Sequence, residues 1–158
     1  MFSIVKHPAR TLHQPCDDVT QFGDSLHALA EEMNKTMISS NGIGLAAPQI
    51  GKNIKFVIVK VGDEGSEYAA YVNPVITFHS AKKVSIEEGC LSLPGLYGYV
   101  TRAAKIRVKY QNVRGEKKIE KLTGMPAIIL QHEIDHINSK LIIDRDIHIT
   151  KGEKILRS

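Results

Sequence analysis

One segment in the C-terminal half of the chain combines a helical pattern with residues that are costly to bury. Residues 123–138 are predicted to form a helix, with Thr123 as its N-cap. Apolar residues surround His132, Glu133 and His136, so this helix is expected to be largely buried. Buried histidines and carboxylates without partners would cost several kcal/mol. A bound metal ion would remove that cost.

The spacing of these polar residues matches a metal site. Two residues four apart lie on one helix face, with Cβ atoms about 5–6 Å apart. Both imidazoles can therefore reach a single ion. Glu133 follows the first histidine, which is the general-base position of the H-E-x-x-H pattern. A chance match of three fixed residues in five is the alternative explanation.

The third ligand separates the classes of H-E-x-x-H protein. A metzincin would need glycine and histidine where this chain has Ser139 and Ile142. A thermolysin-like peptidase would need a later glutamate, but only Glu153 follows the motif and it lies five residues from the end. Upstream, Cys90 offers a thiolate, a strong ligand for zinc or ferrous iron. The alternative for Cys90 is a small buried apolar residue.

The rest of the chain predicts an α+β fold. A second, N-terminal helix begins at Asp24 as N-cap and ends near 39–42. Strands are predicted at 54–61, 68–73, 75–78, 83–87, 105–110 and 117–122. No regular βαβ alternation appears, so we expect mainly antiparallel sheets around the helix that carries the H-E-x-x-H motif. Residues 1–158 are expected to form one catalytic metallohydrolase domain. The lysines of 105–110 indicate the solvated face of a sheet rather than a nucleic-acid patch.

Composition excludes several classes. The formal charge is +4, which does not by itself indicate a polyanionic partner. No run of about 18 apolar residues is present, so no membrane span is expected. The N-terminal residues do not have the pattern of a signal peptide. Two cysteines are too few for a disulfide framework, and we expect a reducing, intracellular compartment.

Three segments together resemble the peptide deformylase family. They are Gly42-Ile-Gly-Leu-Ala-Ala-Pro-Gln49, Glu88-Gly-Cys-Leu-Ser92 and Gln131-His-Glu-Ile-Asp-His136. The resemblance covers essentially the whole chain. Three departures stand out: Ile128 replaces an expected arginine, Ser139 stands where glycine is common, and the tail after residue 145 is short. None of the departures affects the three ligands or the base.

The resemblance implies a mechanism and a substrate. Cys90, His132 and His136 would hold one divalent ion, Fe²⁺ in the cell, with Zn²⁺, Ni²⁺ or Co²⁺ after purification. Glu133 would move the proton, while the Gln49 amide and the Leu91 backbone N–H would stabilise the oxyanion. The substrates would be formylmethionyl nascent chains, hydrolysed to formate and a free N-terminus. The family would work in the cytoplasm, or in the matrix or stroma of an organelle, with transient ribosome contact and with neither a membrane nor a specific nucleic acid as partner.

The same resemblance implies the residues that bind substrate. The candidate set comprises Ile43, Gly44, Ile86, Glu88, Gly89, Met125, Ile128 and Ile129, joined by Leu91 in lining the methionine pocket. Backbone groups of Gly44 and Gly89 would pair with an extended peptide. Glu88 and Asp135 would also orient the ligands, with Arg102 pairing with one of them.

Two other functions remain open at this stage. One is a different metallopeptidase or amidohydrolase with the same ligands. The other is a non-catalytic binding domain stabilised by a closed metal site. A closed site needs four protein ligands, and the remaining histidines are scattered along the chain.

Overall fold

Two antiparallel sheets and two helices make up the computed structural model, which describes residues 1–62 and 64–157. In chain order the elements are α1 (Asp24–Ser39), β1 (Gly44–Ala46), β2 (Phe56–Lys60), β3 (Tyr68–His79), β4 (Lys83–Cys90), β5 (Leu93–Ala103), β6 (Lys105–Gln111), β7 (Lys117–Thr123), α2 (Met125–Ile137) and β8 (Ile147–Lys151). Short 3₁₀ turns lie at Arg10–His13, Ala47–Ile50, Ile142–Asp144 and Glu153–Arg157. The α+β class and both helices are therefore confirmed.

The larger sheet has the order β1-β2-β3-β6-β7, and helix α2 packs against one face of it. Ile106 and Val108 on β6 point into that core, together with Leu130 and Ile134 of α2. Lys105, Arg107 and Lys109 alternate with them on the exposed face. A period of two in the sequence thus corresponds to one dry and one wet face of the strand, as predicted.

The smaller sheet has the order β4-β5-β8. A cleft lies between the two sheets and is lined by residues of both. Its core includes Leu93, Leu96 and Val100 from β5, with Leu12 from the N-terminal segment. Both β1 and β4 are edge strands of their sheets. Each therefore has one side free of sheet pairing, and both line the same cleft.

The structure changes several details of the predicted elements. The helices are capped by Gly23 (φ 113°) and Gly124 (φ 67°), so the prediction of Asp24 and Thr123 as N-caps was wrong. Glycine adopts such positive φ values without steric cost. The two strands predicted at 68–73 and 75–78 are one strand, β3, because a register shift accommodates Asn73 and the following proline.

Strands β1, β5 and β8 were not predicted from the sequence. β5 contains two glycines and a proline, which interrupt a local strand pattern, yet it pairs with β4 along its length and with β8. At Gly98 a Cβ would lie 2.6 Å from the side chain of Ile147, so glycine is what allows β8 to approach. Pairing with its neighbours β4 and β8, rather than local propensity, decides this strand. Among the described residues, no helix is long and apolar enough to cross a membrane.

Candidate metal centre and active-site cleft

Helix α2 presents His132 and His136 on one face, one turn apart. The two rings are 5.1 Å apart between centroids, and both residues are buried. The helix begins directly after Gly124, with a proline in its first turn, where no backbone N–H is needed. The helical spacing therefore delivers two imidazoles to one point beneath the cleft, as expected from the sequence.

The third side chain comes from the end of β4. Strand pairing shifts register between Gly89 and Cys90, a bulge of the kind that redirects a side chain. The Cys90 Sγ lies 3.4 Å from Nε2 of His136. Sulfur and nitrogen ligands of one tetrahedral zinc ion would be about 3.6 Å apart, from the bond lengths to each. The spacing in this structure is therefore compatible with two ligands of one ion.

All three candidate ligand atoms lie within 4.8 Å of one another, and among the described residues they are the group that could hold a metal ion. Nδ1 of His132 lies 2.9 Å from Oε1 of Glu88. A carboxylate oxygen accepts, so Nδ1 of His132 donates to Glu88, and Nε2 is the ring nitrogen that would face a metal. Burial lowers the pKa of His132, but the charge of Glu133 and the hydrogen bonds with Cys90 and Glu88 outweigh it and hold the pKa well above its ordinary value. Burial, with the charges of His132 and Arg102, holds the pKa of His136 well below its ordinary value, which leaves that ring neutral.

A buried ionic network holds the carboxylate behind His132. Arg102 donates to Glu88 at 2.5 and 2.8 Å and to Asp135 at 2.9 Å. The sequence predicted a partner for Arg102 among these two residues, and the structure pairs it with both. Arg145 also donates to Asp135. Burial alone would raise the pKa of Glu88, but hydrogen bonds from His132 and Arg102 outweigh it and hold the pKa below its usual value.

Glu133 has the environment of a proton acceptor. Its Oε1 atom is buried and has no hydrogen-bond partner within the described residues. Burial raises the pKa of Glu133 to about 7. A carboxylate with such a pKa can take up and release a proton near neutral pH. Glu133 lies beside His132 at the wall of the cleft, and its role as the base stays a prediction.

The Gln49 amide also reaches this centre. Its Oε1 accepts a hydrogen bond from the backbone N–H of Ala46 at 3.0 Å, which leaves Nε2 facing the sulfur of Cys90 at 3.7 Å. The same Nε2 donates to the hydroxyl of Ser92 at 3.2 Å. Gln49 is buried on the 3₁₀ turn that follows β1, so it is not the surface amide that a lone glutamine usually forms.

Two of the candidate ligands, Cys90 and His132, line a cleft of about 430 Å³ between the two sheets. Every residue predicted to bind substrate lies along it: Ile43, Gly44, Ile86, Glu88, Gly89, Leu91, Met125, Ile128 and Ile129. The carboxylate of Glu88, however, is already hydrogen-bonded to Arg102 and His132. Ile128, where arginine was expected, is buried and adds apolar surface to the cleft.

Two residues at this site were not predicted to have a role. Tyr97 lines the rim of the cleft, and a Cβ on Gly89 would lie 2.6 Å from its ring, so glycine lets the two strands stay close. Tyr97 was missed because β5 was not predicted as a strand. Ser92 ends the motif that contains Cys90, but its contact with Gln49 spans 43 positions of sequence. No local pattern in the sequence indicates such a contact.

Comparison with known proteins gives a consistent result. The family model described as polypeptide deformylase matches residues 1–152. Peptide deformylase 1 of Bacillus anthracis is 40% identical over 145 residues, which cover 92% of each chain. The peptide deformylase of Thermotoga neapolitana is 42% identical over 134 residues, covering 85% of this chain and 80% of the relative.

Solved structures agree with the sequences. The crystal structure of peptide deformylase from Thermotoga maritima matches with a TM-score of 0.88 at 40% identity, covering 92% of this chain and 97% of that one. The enzyme from Synechococcus elongatus, solved in complex with actinonin, matches with a TM-score of 0.89 at 32% identity, covering 99% and 84%. The similarity thus extends over the sheets, both helices and the cleft.

Proposed function

The chain belongs to the polypeptide deformylase family, whose members hydrolyse the N-terminal formyl group, and from this premise we propose that Cys90, His132 and His136 hold the catalytic metal ion. The convergence of their ligand atoms within 4.8 Å supports this assignment. A structural site would require a fourth protein ligand, and no other His, Cys, Asp or Glu side chain joins this group in the described chain.

Within this assignment, Glu133 transfers the proton. A divalent ion, when bound, supplies Lewis-acid activation of water and of the formyl carbonyl. Glu133 takes the proton from the attacking water and returns it to the amine as the carbon–nitrogen bond breaks. The products are formate and a peptide with a free N-terminus. The buried, unpartnered Oε1 of Glu133 and its raised pKa support both steps.

The oxyanion formed on the formyl carbon needs donors that are already in place. We assign these donors to the side-chain N–H of Gln49 and the backbone N–H of Leu91. Gln49 is buried, and the hydrogen bond from Ala46 to its Oε1 turns the amide nitrogen towards Cys90. Leu91 directly follows Cys90, so its backbone lies beside the same centre.

The peptide is proposed to lie as an extended strand between β1 and β4. Both are edge strands that face the cleft, so backbone groups of Gly44 and Gly89 could pair with an extended peptide. The methionine side chain would occupy the apolar surface of Ile43, Ile86, Leu91, Met125, Ile128 and Ile129. From the family resemblance, we propose that a tight wall around the metal accepts a formyl group and excludes an acetyl group.

The ion in the cell is proposed to be Fe²⁺, with Zn²⁺, Ni²⁺ or Co²⁺ after purification. One thiolate and two imidazoles suit ferrous iron and zinc alike. Iron ligated by a thiolate is sensitive to oxygen, so loss of activity in air would distinguish it from zinc.

Substrate chemistry suggests where the protein works. Family membership implies formylated nascent peptides as substrates, and the relatives include bacterial enzymes. We therefore propose a cytoplasmic location, or an organellar matrix or stroma in a eukaryote, with transient contact at the ribosome. Residues 1–158 are proposed to act as a single catalytic domain, since the cleft is lined by residues from both sheets and from α2.

One observation carries the proposal: the three ligand atoms meet beside the carboxylate of Glu133, whose buried Oε1 has no hydrogen-bond partner among the described residues. The test is formate release from an N-formylmethionyl peptide by metal-loaded protein, with an N-acetyl peptide as control. We expect formate from the wild type, none from Glu133→Ala, and neither acetate nor a free N-terminus from the acetyl peptide. Absence of formate from folded, metal-loaded wild type would reject the assignment, while cleavage of unblocked peptides would favour a peptidase.

A further inference from the structure

The orientation of the Gln49 amide depends on hydrogen bonds that do not involve a substrate. Its Oε1 receives the N–H of Ala46 at 3.0 Å, and its Nε2 donates to Oγ of Ser92 at 3.2 Å. Both Gln49 and Ser92 are buried, Ser92 completely. Water therefore does not substitute for either partner.

The Ser92 hydroxyl has one hydrogen, and that hydrogen is already used. Its Oγ lies 2.6 Å from the carbonyl oxygen of Val5, which can only accept. Ser92 is thereby restricted to accepting from Gln49. If the amide flipped, its oxygen would face an Oγ with no hydrogen to give, and its NH₂ group would face the N–H of Ala46. Both contacts would leave buried donors or acceptors unpaired.

The N-terminal segment fixes this arrangement from outside the cleft. The backbone N–H of Val5 donates to the carbonyl of Gln49 at 2.7 Å, and the N–H of His7 donates to the carbonyl of Ser92 at 2.8 Å. Val5 thus binds Gln49 through its N–H and Ser92 through its carbonyl. The segment holds the turn after β1 and the loop after β4 at a set separation.

We propose that Ser92 is a positioning residue, which, anchored by the carbonyl of Val5, holds the Gln49 amide with its nitrogen towards the oxyanion. The second N–H of that nitrogen faces the Cys90 side of the centre, where the reacting carbonyl must lie. This inference rests on the proposed role of Gln49 as an oxyanion donor. It predicts that Ser92 affects the rate of the chemical step and acts only through Gln49.

The experiment is a double-mutant cycle between Ser92→Ala and Gln49→Leu, measured as kcat and KM for a formylmethionyl peptide. Loss of an oxyanion donor lowers kcat about 10²–10³-fold, so we expect that fall for Gln49→Leu and about a tenfold fall for Ser92→Ala, each with little change in KM. In the Gln49→Leu background, Ser92→Ala should cause no further fall. Ser92→Thr, which keeps the hydroxyl, should restore most of the rate.

Ser139→Ala is the matched control. The Ser139 hydroxyl also donates to a carbonyl of the N-terminal segment, that of Gln14 at 2.8 Å, but it does not contact Gln49. We expect its kcat to match the wild type. The metal content of each variant shows whether the ligand site around Cys90 is still intact. The side-chain amide resonances of the zinc-loaded wild type test directly whether Ser92 holds the Gln49 amide. Those of Gln49 should show a single environment with hindered rotation.

The proposed roles of Ser92 and Gln49 can be rejected separately. If Gln49→Leu loses rate but Ser92→Ala does not, or if their effects multiply, Ser92 is not a positioning residue although Gln49 remains an oxyanion donor. A mobile Gln49 amide in the wild-type spectrum would reject the anchor as well. If Gln49→Leu keeps the full rate, the proposed role of Gln49 is itself wrong.

Discussion

Gly44 lies against the carboxylate of Glu133, at the contact between strand β1 and helix α2. A Cβ built on Gly44 would come within 2.9 Å of Cδ of Glu133, and closer still to Oε2. Real Cβ atoms essentially never approach another atom so closely. Glycine at position 44 therefore leaves space for the Glu133 carboxylate. Glycine is required here by packing and not by backbone angles that other residues rarely adopt.

Gly44→Ala should lower activity far more than stability. The added methyl displaces Glu133 from the wall of the cleft, and a displaced general base loses much of its contribution, which is about 10²–10⁴-fold. Overpacking of this kind costs about 1–3 kcal/mol in stability. The measurements are kcat/KM for a formylmethionyl peptide and thermal unfolding.

Gly42→Ala is the control for that substitution. Its Cβ would meet the end of the Leu91 side chain at 2.8 Å, which can move aside more easily than a buried carboxylate. We expect a smaller loss of activity there. Equal losses in the two variants would contradict the specific role given to Gly44.

Glu133→Gln should abolish proton transfer without disturbing the fold. The amide has nearly the same shape but cannot accept a proton from water, and kcat should fall about 10²–10⁴-fold. Because Oε1 of the wild-type carboxylate is buried without a hydrogen-bond partner, replacement of this group by a neutral amide should not lower the free energy of unfolding. Urea unfolding checks the second expectation, and a marked loss of stability would show that Glu133 has a structural role.

Arg102→Met should destabilise the protein strongly. It leaves Glu88 and Asp135 buried, and removing one partner of a buried ion pair costs about 3–5 kcal/mol. It should also weaken metal binding about 10–100-fold, since Glu88 would no longer be held against His132. Urea unfolding and competition with a chelator measure the two effects.

Arg114→Met provides the comparison for a charged arginine. Arg114 pairs with Asp24 on the surface, and both side chains are mostly exposed. Such pairs contribute about 0–1 kcal/mol. If the two variants lose similar stability, the buried network is weaker than its hydrogen bonds indicate.

Removal of the metal should abolish formate release and lower the unfolding temperature. The ligands come from β4 and α2, and an ion that binds only the folded protein stabilises it by mass action. Activity should return when Fe²⁺, Zn²⁺, Ni²⁺ or Co²⁺ is added under anaerobic conditions. An unchanged unfolding temperature after complete removal would contradict an ion held between these two elements.

Exposure to air distinguishes iron from the other ions. Protein purified and kept anaerobically should lose activity in air if its ion is thiolate-ligated Fe²⁺. Metal analysis before and after exposure accompanies the assay. If air changes nothing and zinc supports the full rate, iron is not the catalytic ion.

The departure at Ser139 illustrates how a local rule and a tertiary contact combine. Ser139 follows the end of α2 with φ 65°, the conformation in which glycine is favoured after a helix. That conformation explains why glycine is common at this position. Here the serine hydroxyl bonds to Gln14, a contact that glycine cannot make.

The sequence by itself determined the elements and chemistry that depend on short spacings. The i, i+4 histidines, the adjacent Glu133 and the alternation of β6 follow from the periods of helix and strand, and they could be read locally. The three motifs also indicated the family and the set of cleft residues. Strongly periodic segments were predicted well for the same reason, since one buried face fixes both the element and its register.

Only the tertiary structure decided which distant groups meet. The pairing of β5 with β8, the hydrogen bond from Arg102 to Asp135, and the Val5–Ser92–Gln49 connection join residues that are far apart in the chain. Such contacts depend on long-range packing, which no local pattern encodes. The residue types were visible in the sequence, but their hydrogen bonds exist because two sheets and one helix bury them at the same place.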